Sequence, residues 1–209
     1  ERRNDAIPAS RIPLLQTLSG PMHRSEHDKI SLAYRQCMAA TNAVLQSRQP
    51  LSNEQTSFLV QRCRASHNRQ LMDLAAQALG KRRLFNHSIA LFTAAIKQDP
   101  KSLNTQLGLV VSLHLAQRYA EEVPYLQKLI EALPKDIQVL RFSIQAGAWG
   151  GAPDLADKAL TLLETHHPKL APLARRFRNA PPGFGSPFGW PLHLWPANLY
   201  SGKPAGVHG

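Results

Sequence analysis

The sequence predicts an all-α fold: a right-handed solenoid of stacked helical hairpins, about eight or nine helices in all, with an extended arm at each end. Three observations carry this. The dipeptide Pro-Lys occurs at Pro100-Lys101, Pro134-Lys135 and Pro168-Lys169, each 34 residues after the last. Each closes a segment whose apolar residues fall three and four apart, a stripe that a lone helix cannot bury. Hydrophobic residues make up 43% of a 209-residue chain, enough core for one ordinary domain or one short repeat array.

Composition narrows the class further. Lys and Arg number 25 against 14 Asp and Glu, a net charge of +11. Such a basic chain suits an acidic protein partner or a nucleic acid. The longest apolar run, Leu107 to Ala116, is interrupted by Ser112 and His114 and falls well short of the ~18 residues of a membrane span. Two cysteines cannot build a multi-disulfide scaffold or a four-thiolate zinc site.

Residues 1–24 read as an extended arm, with Pro8, Pro13, Gly20 and Pro21 set beside Arg2, Arg3, Arg11 and Arg24. The chain opens on Glu1 rather than Met, which reads as a trimmed mature form or a fragment. A trimmed, basic start fits import into mitochondria and equally export to a periplasm.

The helical domain is expected over residues 25–180. Ser25 followed by Asp28 reads as a capping box opening a helix near 26–47, with Ile30, Ala33, Cys37, Ala40 and Val44 as its stripe. Pro50 and Ser52 mark a turn and a new start, and the next helix carries Phe58, Leu59 and Cys63. A third, from about Arg69 to Leu79, holds Leu71, Leu74, Ala75 and Ala78 and is expected to end at Gly80. The segments closed by Pro-Lys then follow. Phe85 to Asp99 carries Ile89, Phe92 and Ile96. Tyr119 to Leu133 carries Val123, Leu126, Leu129, Ile130 and Leu133. Asp154 to His167 carries Leu155, Ala159, Leu162 and Leu163, and a capping helix near Leu170–Arg178 completes the stack.

Over about residues 69–168 the chain resembles the tetratricopeptide repeat family, in units 67–100, 101–134 and 135–168. Phe85 and Tyr119 stand at the family's turn aromatic, Phe92 and Ala95 at its large and small packing positions in the second helix, and Ala156 at its small residue. Leu107-Gly108 is similar to its Leu-Gly pair, two residues early, and Pro153 replaces the third turn aromatic. Leu103-Asn104-Thr105 resembles the start of a pentatricopeptide repeat. The resemblance implies stacked hairpins whose work is to hold another protein. In size, repeat type and basic start the chain is also similar to the helical-repeat accessory subunits of euglenozoan mitochondrial ATP synthases, which implies a subunit clamped on a catalytic partner.

Three candidate functional features follow. Cys37 and Cys63 lie thirteen residues either side of Pro50, so an antiparallel hairpin would set them opposite each other. The alternatives are a disulfide, implying an oxidising compartment, and two buried free thiols. Residues 181–209 hold six of the sixteen prolines and six of the twelve glycines, interleaved with Phe184, Phe188, Trp190, Trp195 and Tyr200. Such a segment forms neither long helices nor central strands, and its aromatics read as anchors laid on its own helices or on a partner. The basic residues Arg62, Arg64, Arg69, Lys81, Arg82, Arg83, Arg175, Arg176 and Arg178 would form one ridge if the repeats stack, or else serve as solvated helix ends.

No chemistry-bearing motif is convincing. His23, Glu26 and His27 have the spacing of an inverted zinc-protease motif, but with Ser25 as a cap they would not share a helical face. His166 and His167 are adjacent and point apart. The Gly183–Gly189 stretch lacks the spacing and preceding strand of a phosphate loop. The expectation is a non-catalytic scaffold with no metal, no cofactor and no membrane span, docked on protein in a larger assembly. A periplasmic or secretion-type adaptor with a disulfide and an organellar RNA-binding repeat protein are the rivals.

Overall fold

A computed structural model describes the backbone of residues 13–182 and the side chains of residues 25–182. Within it the chain forms α1 (Pro13–Gln46), α2 (Asn53–Ala65), α3 (Arg69–Lys81), α4 (Phe85–Gln98), α5 (Leu103–Leu115), α6 (Tyr119–Ala132), α7 (Ile137–Trp149), α8 (Pro153–His166), a 3₁₀ turn (Pro168–Leu170) and α9 (Ala171–Arg178). There is no strand among the described residues.

The 34-residue period is built into the backbone. The turns between α3 and α4, α5 and α6, and α7 and α8 each place one residue in the left-handed region: Arg83 (φ 61°), Gln117 (φ 59°) and Gly151 (φ 81°). In each, the next N–H reaches back five residues, from Leu84 to the Leu79 carbonyl (3.0 Å), Arg118 to Leu113 (2.9 Å) and Ala152 to Gly147 (2.8 Å). This closes the helix by satisfying a carbonyl that has no partner within it. The links between hairpins repeat too, with Asp99, Leu133 and His167 N–H groups bonded to Ala95, Leu129 and Leu163. Ser102 and Asp136 then cap the following helices through their side chains.

Consecutive helices pack antiparallel, and several helices also meet the next one in their own layer: α1 with α3, α3 with α5 and α7 with α9 in one, α2 with α4 and α6 with α8 in the other. The result is a two-layer stack of hairpins, each burying the apolar stripe of its neighbour. Phe92 and Phe142, each 1% exposed, are the largest buried side chains, and Leu91, Leu109, Leu126, Leu129 and Leu140 are fully buried in the same core. Gly108 lets α5 approach α4, because a Cβ there would lie 2.4 Å from the Phe92 ring.

Several boundaries differ from expectation. α1 begins at Pro13, so residues 13–24 belong to a helix and not to an arm, while residues 1–12 lie outside the described residues. Proline is favoured in the first turn, where its missing N–H has no helical acceptor, and Pro13 marks a start where it was read as a breaker. Ser25 is consequently an exposed residue within α1 and not its cap. The third helix passes through Gly80, which is buried, and turns at Arg83. Ile30, Phe58 and Leu74, assigned to buried stripes, are 39%, 45% and 40% exposed.

Candidate functional site

The N-terminal hairpin carries one feature that sequence spacing put forward, the facing of Cys37 and Cys63, and one that it did not, an exposed apolar stripe on α1. α1 and α2 run antiparallel through the turn at Pro50, and Cys37 and Cys63 face each other with Cα atoms 4.7 Å apart, joined by a disulfide. Both are fully buried, and the Thr41 hydroxyl lies 3.9 Å and 4.0 Å from the two sulfurs. Beside the buried face of α1 (Ala33, Cys37, Thr41, Val44) runs an exposed apolar stripe of Ile30, Tyr34, Met38 and Leu45. At ~100° per residue these four fall within an arc of about 80°. Leu32 on α1 and Phe58 on α2 add exposed apolar surface to the same hairpin.

The nine basic residues do not form one free ridge. Arg82 reaches the C-terminal end of α1, donating to the carbonyls of Val44 (2.9 Å), Gln49 (2.7 Å) and Ser47. It thereby satisfies carbonyls that a helix end leaves without partners. Arg62 donates to Gln36 of α1 and lies over the Phe58 ring. Arg69 pairs with Asp73 (2.6 Å) and Asp99, Arg175 with Glu164 and Arg178 with Asp157. Arg64, Lys81, Arg83 and Arg176 are exposed. The first three sit near the C-terminal ends of α2 and α3, where a cation complements the helix dipole.

Between hairpins lies a ladder of buried polar joints that sequence reading missed. The Thr105 hydroxyl donates to the Asp73 carboxylate at 2.9 Å, and the Ser88 and Ser112 hydroxyls meet at 2.9 Å. Most elaborate is His114 on α5. Its Nδ1 lies 2.9 Å from the Glu122 carboxylate of α6, and its Nε2 lies 2.7 Å from Gln145 Oε1 of α7. Phe142 and Tyr119 pack on the imidazole, and Trp149 packs edge-on to Tyr119. Glu122 has no solvent exposure, so burial pushes its carboxyl up to about 7, with His114 opposing. Burial likewise raises the Asp73 carboxyl, against Thr105 and Arg69, and lowers the Arg141 guanidinium to about 10. The signal in the sequence was periodic: Ser88, Glu122 and Ala156 occupy one register position 34 residues apart, and a carboxylate where the others are small demands a buried partner.

The His23–Glu26–His27 stretch lies in α1, with Glu26 paired to Lys29 at 3.5 Å, both exposed. Among the described residues no three His, Cys, Asp or Glu side chains gather in a way that could hold a metal. No described helix is long and apolar enough to cross a membrane. Phe184, Phe188, Trp190, Trp195 and Tyr200 lie outside the described residues. No family model, curated protein or solved structure matches the chain.

Proposed function

We propose that this chain is a non-catalytic helical-repeat scaffold, an accessory subunit that docks on another protein within a larger assembly. The observation that carries the reading is the apolar stripe Ile30, Tyr34, Met38 and Leu45 on the first described hairpin. A free-standing repeat array closes its terminal hairpin with a polar outer face, because no further repeat will cover it. Here the first described hairpin is stiffened by a disulfide and presents an apolar surface, the arrangement of an interface waiting for its other half.

The occupant is a different protein, not a second copy. A net charge of +11 opposes self-association and favours a partner with apolar anchors and an acidic rim. The disulfide supports an oxidising home, the periplasm or the mitochondrial intermembrane space. It weighs against a mitochondrial ATP synthase subunit on the reducing matrix side.

The test is native purification followed by cross-linking of the intact complex, with Tyr34→Asp and Met38→Asp variants. Cross-links from α1 to one acidic protein, lost in the variants while the thermal midpoint stays within about 2 °C, support the reading. A partner retained by both variants overturns it, and so does a homodimer in sedimentation. Salt-sensitive binding to single-stranded RNA, abolished by charge reversal at Arg64, Lys81 and Arg83, would favour the RNA-binding alternative instead.

A further inference from the structure

The stack has a seam between α5 and α6. On the N-terminal side of it α1, α3 and α5 pack in series and α2 meets α4. On the C-terminal side α7 meets α9 and α6 meets α8. Across the seam the backbones of α5 and α6 approach closely, but α5 and α7, and α4 and α6, make no approach of comparable extent. Two bodies, α1–α5 and α6–α9, thus meet along one helix pair joined by the short turn at Gln117, with core side chains filling the space between. A structure hinges where few backbone segments are held together.

His114 stands in this seam. Its Nδ1 lies 2.9 and 3.0 Å from the two Glu122 oxygens on α6, and its Nε2 lies 2.7 Å from Gln145 Oε1 on α7. Tyr119 of α6 and Phe142 of α7 pack against the ring. One residue of the first body thereby holds two helices of the second. The 34-residue register marks this as particular to one hairpin. The equivalents of His114 and Glu122 are Gly80 and Ser88 in the preceding hairpin, and Ala148 and Ala156 in the following one. Two titratable groups replace two small residues together.

The geometry fixes the number of protons. With Gln145 Oε1 as acceptor, Nε2 carries a hydrogen. Nδ1 then faces a carboxyl group, and the contact needs one further proton between them. Written as imidazolium with carboxylate or as imidazole with carboxylic acid, the pair is neutral. When that proton leaves, His114 keeps a bond to the carboxylate only as the Nδ1–H tautomer. Nε2 is then a bare acceptor, and the Gln145 amide must reverse to donate to it. A negative charge remains on Glu122, which has no solvent exposure. No charge other than that of His114 acts on it. Tyr119 is its other titratable neighbour, a phenol held up by burial and by Glu122. α7 presents Phe142 and Gln145, with Arg141 one turn before, α4 meets α5 through Ser88, and α8 brings Ala152 and Ala156 against α7. Leaving such a charge dry is costly, and hydrating it requires the seam to part. Burial holds the Glu122 carboxyl up to about 7, so the proton leaves near neutrality.

We propose that His114, Glu122 and Gln145 form a one-proton latch across this seam: with the proton in place the two bodies are held as one stack, and its loss reverses Gln145 and lets α6–α9 swing on α5. The latch is independent of partner docking on α1.

Full-length protein tests it. With nitrogen-15 histidine, His114 should show a protonated Nε2 at about pH 5.5 and a bare one at about pH 8.5. Spin labels at Leu74→Cys and Thr161→Cys, one in each body, report the hinge, since the native cysteines are tied in the disulfide. Their distance distribution should be at least about twofold broader at the higher pH. The pair Leu74→Cys and Lys97→Cys, both in the first body, should not change, and in Glu122→Gln the cross-seam distance should be the same at both pH values. An Nε2 in one state throughout overturns the proposal. So does a cross-seam distance indifferent to pH, or a broadening that persists in Glu122→Gln.

Discussion

The Phe92 ring occupies the space that a side chain at Gly108 would need: a Cβ there would lie 2.4 Å from its Cε1 and Cζ atoms. Phe92 is 1% exposed in a packed core, so the ring has little freedom to withdraw. Gly108→Ala is therefore expected to cost about 1–2 kcal/mol, the overpacking penalty exceeding the ~1 kcal/mol gained in helix propensity. Phe92→Leu should cancel much of that clash. In a double-mutant cycle by urea unfolding the two changes should couple favourably by about 1 kcal/mol. Simple additivity would contradict the contact.

Glu122 gives stability a pH dependence of definite sign. Burial pushes its carboxyl from 4.5 up to about 7. The folded chain then keeps a proton that the unfolded chain has released. The resulting stabilisation is full below about pH 4.5 and is lost as pH rises through about 7. Between pH 5 and 8 the wild type should lose about 2–3 kcal/mol relative to Glu122→Gln, which cannot titrate. Urea midpoints across that range check it, and a difference independent of pH counts against a buried proton at this site.

The bond between Cys37 and Cys63 closes a loop of 26 residues. Restricting the unfolded chain by such a loop is worth about 3.5 kcal/mol in the chain-entropy model. The Cys37→Ser/Cys63→Ser double variant should unfold at correspondingly lower urea. Its extra hydrogen exchange should be greatest in α1 and α2 and fade through α3 and α4, because stacked hairpins contact only their neighbours.

Gln117 is exposed and holds φ 59°, while Gly151, at the same register, holds φ 81° without strain. A side chain in the left-handed region costs about 1 kcal/mol relative to glycine. Gln117→Gly should thus stabilise the fold by roughly 0.5–1 kcal/mol, read as a rise in the thermal midpoint. The same change at the ordinary helical position Gln127 should destabilise by a similar amount.

What was legible in the sequence was whatever repeats. Pro100, Pro134 and Pro168 mark hairpin ends because proline cannot continue a helix, and α4, α6 and α8 lie within a residue or so of the segments those prolines bound. The facing of Cys37 and Cys63 followed from their equal distance to Pro50. Propensity misled where context decides. Proline reads as a breaker, yet Pro13 starts α1, and Gly80 reads as a terminator, yet it is buried inside α3. Charged residues were hardest to place. Arg82 and Arg62 looked like surface charge and instead tie α3 and α2 to α1, because their acceptors are backbone and amide oxygens that carry no charge pattern to read. His114 and Glu122 are eight residues apart and lie in different helices, so only the register of Ser88, Glu122 and Ala156 hinted at them.

The cystine sits in the first hairpin of the described residues, where the other joints between helices are noncovalent. Held by its two termini in an optical trap, such a chain should not give way as a single body. Among the described helices α9, short and without a covalent latch, would peel before α1 and α2, and extension would proceed hairpin by hairpin. The Cys37–Cys63 loop, locked at its base, would never add its full contour length until a reductant is supplied.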